Sequence, residues 1–126
     1  MVADARYKVR RRFPLRVYGR GTEPDARFSL ANERTYLAWI RTSVALLAAG
    51  VALQVFEVGG GSGPSVLAST LLIVCSIVLP VAAWVSWARA ERSLREGAPL
   101  PAPSMAGPLA VVLALASGLV LGAILL

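Results

Sequence analysis

The chain has 126 residues, of which 56% are apolar and 16% charged, with a net charge of +6 and no histidine. Soluble domains are about a quarter charged, so this is the composition of a membrane protein of one domain at most. The missing histidine removes the commonest general base and the commonest zinc or haem ligand. The one cysteine, Cys75, falls inside an apolar run without a partner for a disulfide or a metal.

Residues 1–28 are read as a basic cytoplasmic arm. Its stretch RYKVRRRFPLRVYGR, Arg6 to Arg20, interleaves arginine with Phe13, Leu15, Val17 and Tyr18, a mixture that suits a surface of anionic lipid. A solvated basic tail that only enforces topology is the other reading. Pro14 argues against one continuous helix there. Arg11-Arg12-Phe13 is not a twin-arginine export signal, because such a signal is followed almost at once by its apolar region and here more than twenty residues intervene.

Residues 29–126 are predicted to be all-α, with three transmembrane helices at about 30–58, 65–92 and 105–126 in an up-down-up hairpin arrangement. Their apolar cores, Leu37 to Val58, Val66 to Trp87 and Ala106 to Leu126, are each close to the ~20 residues that cross about 30 Å of hydrocarbon. The first loop, GGGSGPS from Gly59 to Ser65, is short and flexible, and Pro64 suits a first helical turn. The second, around Arg89 to Ser104, holds three arginines, two glutamates and three prolines.

Ten of the thirteen basic residues lie between Arg6 and Arg41, and the rest are Arg89, Arg92 and Arg95. Basic residues are retained on the cytoplasmic side. The N-terminus and second loop are therefore expected inside, and the C-terminus on the exported side of a bacterial inner membrane. Tyr36, Trp39, Trp84 and Trp87 mark one aromatic belt on the basic side.

Within the first segment, Arg41 lies about one turn inside the apolar run, where a charge persists only by snorkelling, pairing or lining a wet cavity. At 100° per residue Arg34 and Arg41 point almost the same way. Glu33 points about 80° from Arg41 and is expected to pair between helices, with Arg92 or Arg89. Two readings of the arginines stand. They snorkel into headgroups, or Arg34, Arg41 and Arg89 form an electropositive, anion-binding ring at the mouth of an oligomer.

In the second segment Pro80 frees the Ser76 carbonyl and predicts a kink, with the Ser76 hydroxyl able to compensate. In the third, Ala110, Ala114, Gly118 and Gly122 recur every fourth residue and end in a GxxxG, a flat stripe for helix packing. It faces either its own helices or a neighbouring subunit. No metal cluster, phosphate loop or activated nucleophile is present, so no enzyme, cofactor or catalytic residue is expected, and no nucleic acid.

The run Phe28-Ser29-Leu30-Ala31-Asn32-Glu33-Arg34-Thr35-Tyr36-Leu37-Ala38-Trp39-Ile40-Arg41-Thr42 resembles the signature of the YidH-like family of small bacterial membrane proteins, a domain of unknown function. The resemblance extends over roughly Arg27 to Leu126 and includes RSLREGAPLP at Arg92 to Pro101. A related domain forms the membrane part of the vacuolar transporter chaperone, a eukaryotic polyphosphate polymerase whose three-helix units surround a conduit. The resemblance implies that Glu33, Arg34 and Arg41, with Arg89 a looser match, stand near the cytoplasmic entrance of such an assembly. This chain has no room for the soluble domain that makes the polymer, so polyphosphate as ligand is carried by analogy.

The function expected is that of a non-enzymatic homo-oligomer in a bilayer with anionic lipids, binding or conducting anions such as phosphate polymers or headgroups. The alternative is an accessory or scaffold subunit of a larger membrane complex.

Overall fold

The computed structural model describes residues 14–19, 21–101 and 104–126. Arg6 to Phe13 of the basic arm, with Arg11-Arg12-Phe13, lie outside the described residues. Four helices follow in order: α1 (Leu15–Tyr18), α2 (Ala26–Val55), α3 (Gly63–Glu96) and α4 (Ala106–Leu125). The described residues contain no strand, and α2, α3 and α4 are each long and apolar enough to cross a membrane. The architecture is the all-α, three-span one expected.

Asp25 caps α2 by accepting the Arg27 backbone N–H at 2.9 Å. The Arg27 guanidinium returns to the same carboxylate, Nη2 to Oδ2 at 2.9 Å. That side-chain contact first, and the backbone N–H second, hold the Asp25 carboxyl below its usual range. A lowered pKa gives a cap at full strength above the ordinary carboxylate range and lost as the pH falls through the lowered value.

α3 continues to Glu96 and stops at Gly97, whose left-handed φ of 65° lets its N–H reach the Ser93 carbonyl. Arg89, Glu91 and Arg92 are on this helix, within the span of about 65–92 expected for it, and the helix runs on past that end to take in Arg95 as well. At 30 and 34 residues, α2 and α3 are about 45 and 51 Å long, against about 30 Å of hydrocarbon. Both project beyond the bilayer at the basic end. Counting about twenty residues back from Val55 gives Tyr36, and about twenty on from Ser65 gives Trp84. The two rings meet at 6.1 Å, so the helices leave the hydrocarbon at one level.

α2 meets α3 along Ser29, Asn32, Tyr36, Trp39, Ser43, Leu46, Gly50 and Leu53, positions three and four apart that are all buried or half-buried. The closest approach is at Gly50, where a Cβ would come within 2.7 Å of Ile73 Cγ1 and 3.1 Å of the Ser69 carbonyl oxygen. Ser69 Oγ donates to the Gly50 carbonyl at 2.8 Å across this crossing. Leu46, Leu72, Leu79 and Ala116 form the apolar centre.

α4 packs on α3 and buries only Ala116 fully. Ala110, Ala114 and Gly118 are exposed, Gly122 is half-buried, and a Cβ on either glycine meets nothing within 4 Å. Within one chain the small-residue stripe thus faces outward and not toward α2 or α3. The Ser76 hydroxyl donates to the Ile73 carbonyl at 2.6 Å. It does not compensate the Ser76 carbonyl that Pro80 leaves free.

Candidate functional site at the basic end

Residues 14–19 and 21–25 form a strap that lies over the end of α3. Val17 is 1% exposed. Arg92 Nη2 donates to the Arg16 carbonyl at 3.3 Å and Arg95 Nη2 to the Tyr18 carbonyl at 3.1 Å. The Thr22 N–H donates to the Arg95 carbonyl at 3.1 Å. This contact needs Gly21, which has φ +61° and sits where a Cβ would collide with that same carbonyl. The Arg95 guanidinium, 9% exposed, stands 5.4 Å from the Tyr18 ring centre and 4.0 Å from Glu23 Oε1. The strap therefore closes on arginine side chains that the sequence alone would leave in water.

One turn before Arg95 lies Glu91, 3% exposed. Its carboxylate accepts Ser29 Oγ at 2.9 Å and Asn32 Nδ2 at 3.4 Å, and Asn32 Nδ2 also donates to the Trp87 carbonyl at 3.1 Å. These bonds join α2 to α3 at the level where both have left the hydrocarbon. An acceptor so buried is tolerated because its donors are fixed on the facing helix.

An aromatic group stands immediately toward the membrane. Trp84 and Trp87 have ring centres 5.0 Å apart, Tyr36 lies 6.1 and 6.4 Å from them, and Tyr18 lies 6.2 Å from Trp87. The rings line a cavity of about 540 Å³ together with Glu23, Glu33 and Glu91. Among the described residues no group of three metal-ligating side chains gathers.

Arg34, Arg41 and Arg89 are exposed and, among the described residues, make no hydrogen bond or ion pair. Arg34 and Arg41 fall about 140 to 180° from the Asn32, Tyr36, Trp39 and Ser43 positions, on the side of α2 turned from α3. Arg89 falls equally far from Trp87 and Glu91, on the outward side of α3. One chain does not bring the three together.

The ion pair expected between Glu33 and Arg92 is not formed, nor does Arg89 replace Arg92. Glu33 is exposed at the flank of the α2–α3 seam, and Arg92 turns to the strap. The carboxylate that joins the helices is Glu91 on α3, one residue from the arginine chosen. Ser29, Asn32, Glu91 and Arg95 escaped the sequence reading. The three-and-four spacing of the apolar seam, continued back from Ser43, would have picked out Asn32 and Ser29. Nothing in the sequence announces Arg95, since its contacts with Tyr18 and Glu23 come from a strap some seventy residues earlier.

Three spanning helices, two of them joined by a polar cluster beyond the hydrocarbon, define a small integral membrane protein of the three-helix class. The chain belongs to the DUF202 family, a domain of unknown function, which matches residues 27–93. It is 36% identical over 107 residues to the inner membrane protein YidH of Escherichia coli K12, covering 83% of this chain and 92% of that one. It is 42% identical over 90 residues to the uncharacterized protein Rv2272 of Mycobacterium tuberculosis H37Rv, covering 71% and 74%. No solved structure matches. The match takes in Glu33, Arg34, Arg41, Arg89, Glu91 and Arg92, and leaves the strap, Arg95 and α4 outside it.

Proposed function

We propose that this chain is a non-enzymatic protein of the bacterial inner membrane that, as an oligomer, binds or conducts anions at a cytoplasmic, arginine-lined mouth. The N-terminus and the residues between α3 and α4 are cytoplasmic in this reading, and the C-terminus is exported. The observation that carries it is Arg41, exposed, without a partner among the described residues and five residues past Tyr36, which is about 8 Å into the hydrocarbon. A guanidinium at that depth costs several kcal/mol unless something negative or wet meets it. With Arg34 on the same side of α2 and Arg89 on the outward side of α3, a shared mouth is built from several copies. Phosphate polymers and anionic headgroups are the candidate ligands.

Arg41→Ala, reconstituted into liposomes with the parent as control, tests the reading. Polyphosphate binding and anion flux should both be lost. Retention of both at parental levels overturns it.

A second reading is favoured by the open space over Gly118 and Gly122: an accessory subunit held in a larger complex through α4. Under it Gly118→Leu releases the chain from its partners, whereas Arg41→Ala leaves it in place.

A further inference from the structure

The cavity between the strap, α2 and α3 has the opposite chemistry to the rest of the basic end. Four aromatic rings line it, Tyr18, Tyr36, Trp84 and Trp87, and among the described residues no arginine or lysine does. In a chain with thirteen basic and seven acidic residues, three of the acidic ones border this one space. Two of them are already used: Glu23 is paired with Arg95, and Glu91 holds Ser29 and Asn32. Glu33 is exposed and makes no bond within the described chain.

Aromatic faces attract cations through the ring quadrupole, and several rings around one carboxylate are the arrangement that holds an ammonium group. One end of the cage already works this way, with the Arg95 guanidinium 5.4 Å above the Tyr18 ring. The other end, where Tyr36 meets Trp84 and Trp87 and Glu33 lines the same cavity, carries the same chemistry without a cation from the described residues. A volume of about 540 Å³ lies within the range of small-ligand sites. Tyr36 and Trp84 stand where α2 and α3 leave the hydrocarbon, so the cavity is at the depth of lipid headgroups.

We propose that this cavity binds an organic ammonium group, primary or quaternary, at the membrane surface. The group comes from a zwitterionic headgroup or from a free amine, and Glu33 with Tyr36, Trp84 and Trp87 receives it. The site stands apart from the anion reading, since none of Arg34, Arg41 and Arg89 lines it.

The test uses the full chain in nanodiscs of phosphatidylglycerol alone, read by intrinsic tryptophan fluorescence. One arm titrates tetramethylammonium and ethanolamine chlorides against sodium chloride at matched ionic strength. The other replaces part of the lipid by phosphatidylethanolamine or phosphatidylcholine. A saturable change with an ammonium compound and not with sodium is expected, weakened about tenfold by Tyr36→Leu and also weakened by Glu33→Gln. Glu33 is exposed, so its variant keeps the fold and serves as the control if Tyr36→Leu does not. A response confined to the lipid arm assigns a headgroup, and one confined to the soluble arm assigns a free amine. No saturable response in either arm, a response equal to sodium, or one unchanged in Glu33→Gln overturns the proposal.

Discussion

At the residue scale the decisive group is Glu91. It is 3% exposed, yet its neighbours in sequence, Ala90 and Arg92, offer it nothing; its donors come from Ser29 and Asn32, some sixty residues earlier. Removing the acceptor strands the Ser29 hydroxyl between packed helices, while Asn32 Nδ2 keeps the Trp87 carbonyl, and a stranded buried group costs about 1–3 kcal/mol. Glu91→Ala is therefore expected to lower thermal stability in detergent by about that amount, and Glu91→Gln, which keeps one acceptor oxygen, to lower it much less. Equal melting curves for parent and Glu91→Ala would show that the cluster does not hold the helices together. The same residue explains why the sequence pointed to Glu33. Glu33 sits beside Arg34 in a conspicuous charged run, whereas Glu91 looks like one more charge at the end of the second span, between Arg89 and Arg92. Its inward place shows only in its bonds to Ser29 and Asn32 on the facing helix, and helix ends beyond the last apolar residue carry no hydropathy signal.

At the scale of elements, the three spans were legible because each apolar run is long enough to cross the bilayer and nothing else satisfies its backbone there. The alignment of Tyr36 with Trp84 and Trp87 was legible too, as a belt. The packing faces were not. In α4 alanine and glycine recur every fourth residue, but the chain packs tightly at Gly50 and Ser69, where the pattern is one glycine facing one serine. Periodicity shows which residues share a face and is silent on which face another helix covers. The two glycines can be told apart by experiment. Gly50→Val drives side-chain atoms into Ile73 and the Ser69 carbonyl, and overpacking of this kind costs about 1–3 kcal/mol or more. Gly118→Val meets open space. The first should destabilise the isolated chain in detergent melts; the second should leave that melt unchanged and act, where it acts, on the mass of the assembly in native membranes. A destabilised Gly118→Val monomer would mean that α4 packs on its own chain through the stripe.

At the scale of the whole molecule the charge asymmetry sets what the protein can meet. Every described arginine lies at one end, and the opposite end, with the Gly59 to Gly63 turn and the end of α4, carries Glu57 as its one charged side chain among the described residues. In the proposed orientation, which follows the retention of basic residues on the cytoplasmic side, both the arginines and the aromatic cavity face the cytoplasm. The orientation can be read directly in a background where Cys75→Ala removes the native thiol. Gly63 opens α3, is exposed, and has nothing within 4 Å of an added Cβ, and Leu100 is exposed beyond the other end of that helix. Gly63→Cys should react with a membrane-impermeant maleimide in intact spheroplasts, and Leu100→Cys only after the membrane is opened. The reverse pattern would turn Arg34, Arg41 and Arg89 to the outside, away from any cytoplasmic phosphate polymer. It would leave the ammonium cavity intact but supplied from the other leaflet, so this single measurement decides which pool of ligands the basic end can reach.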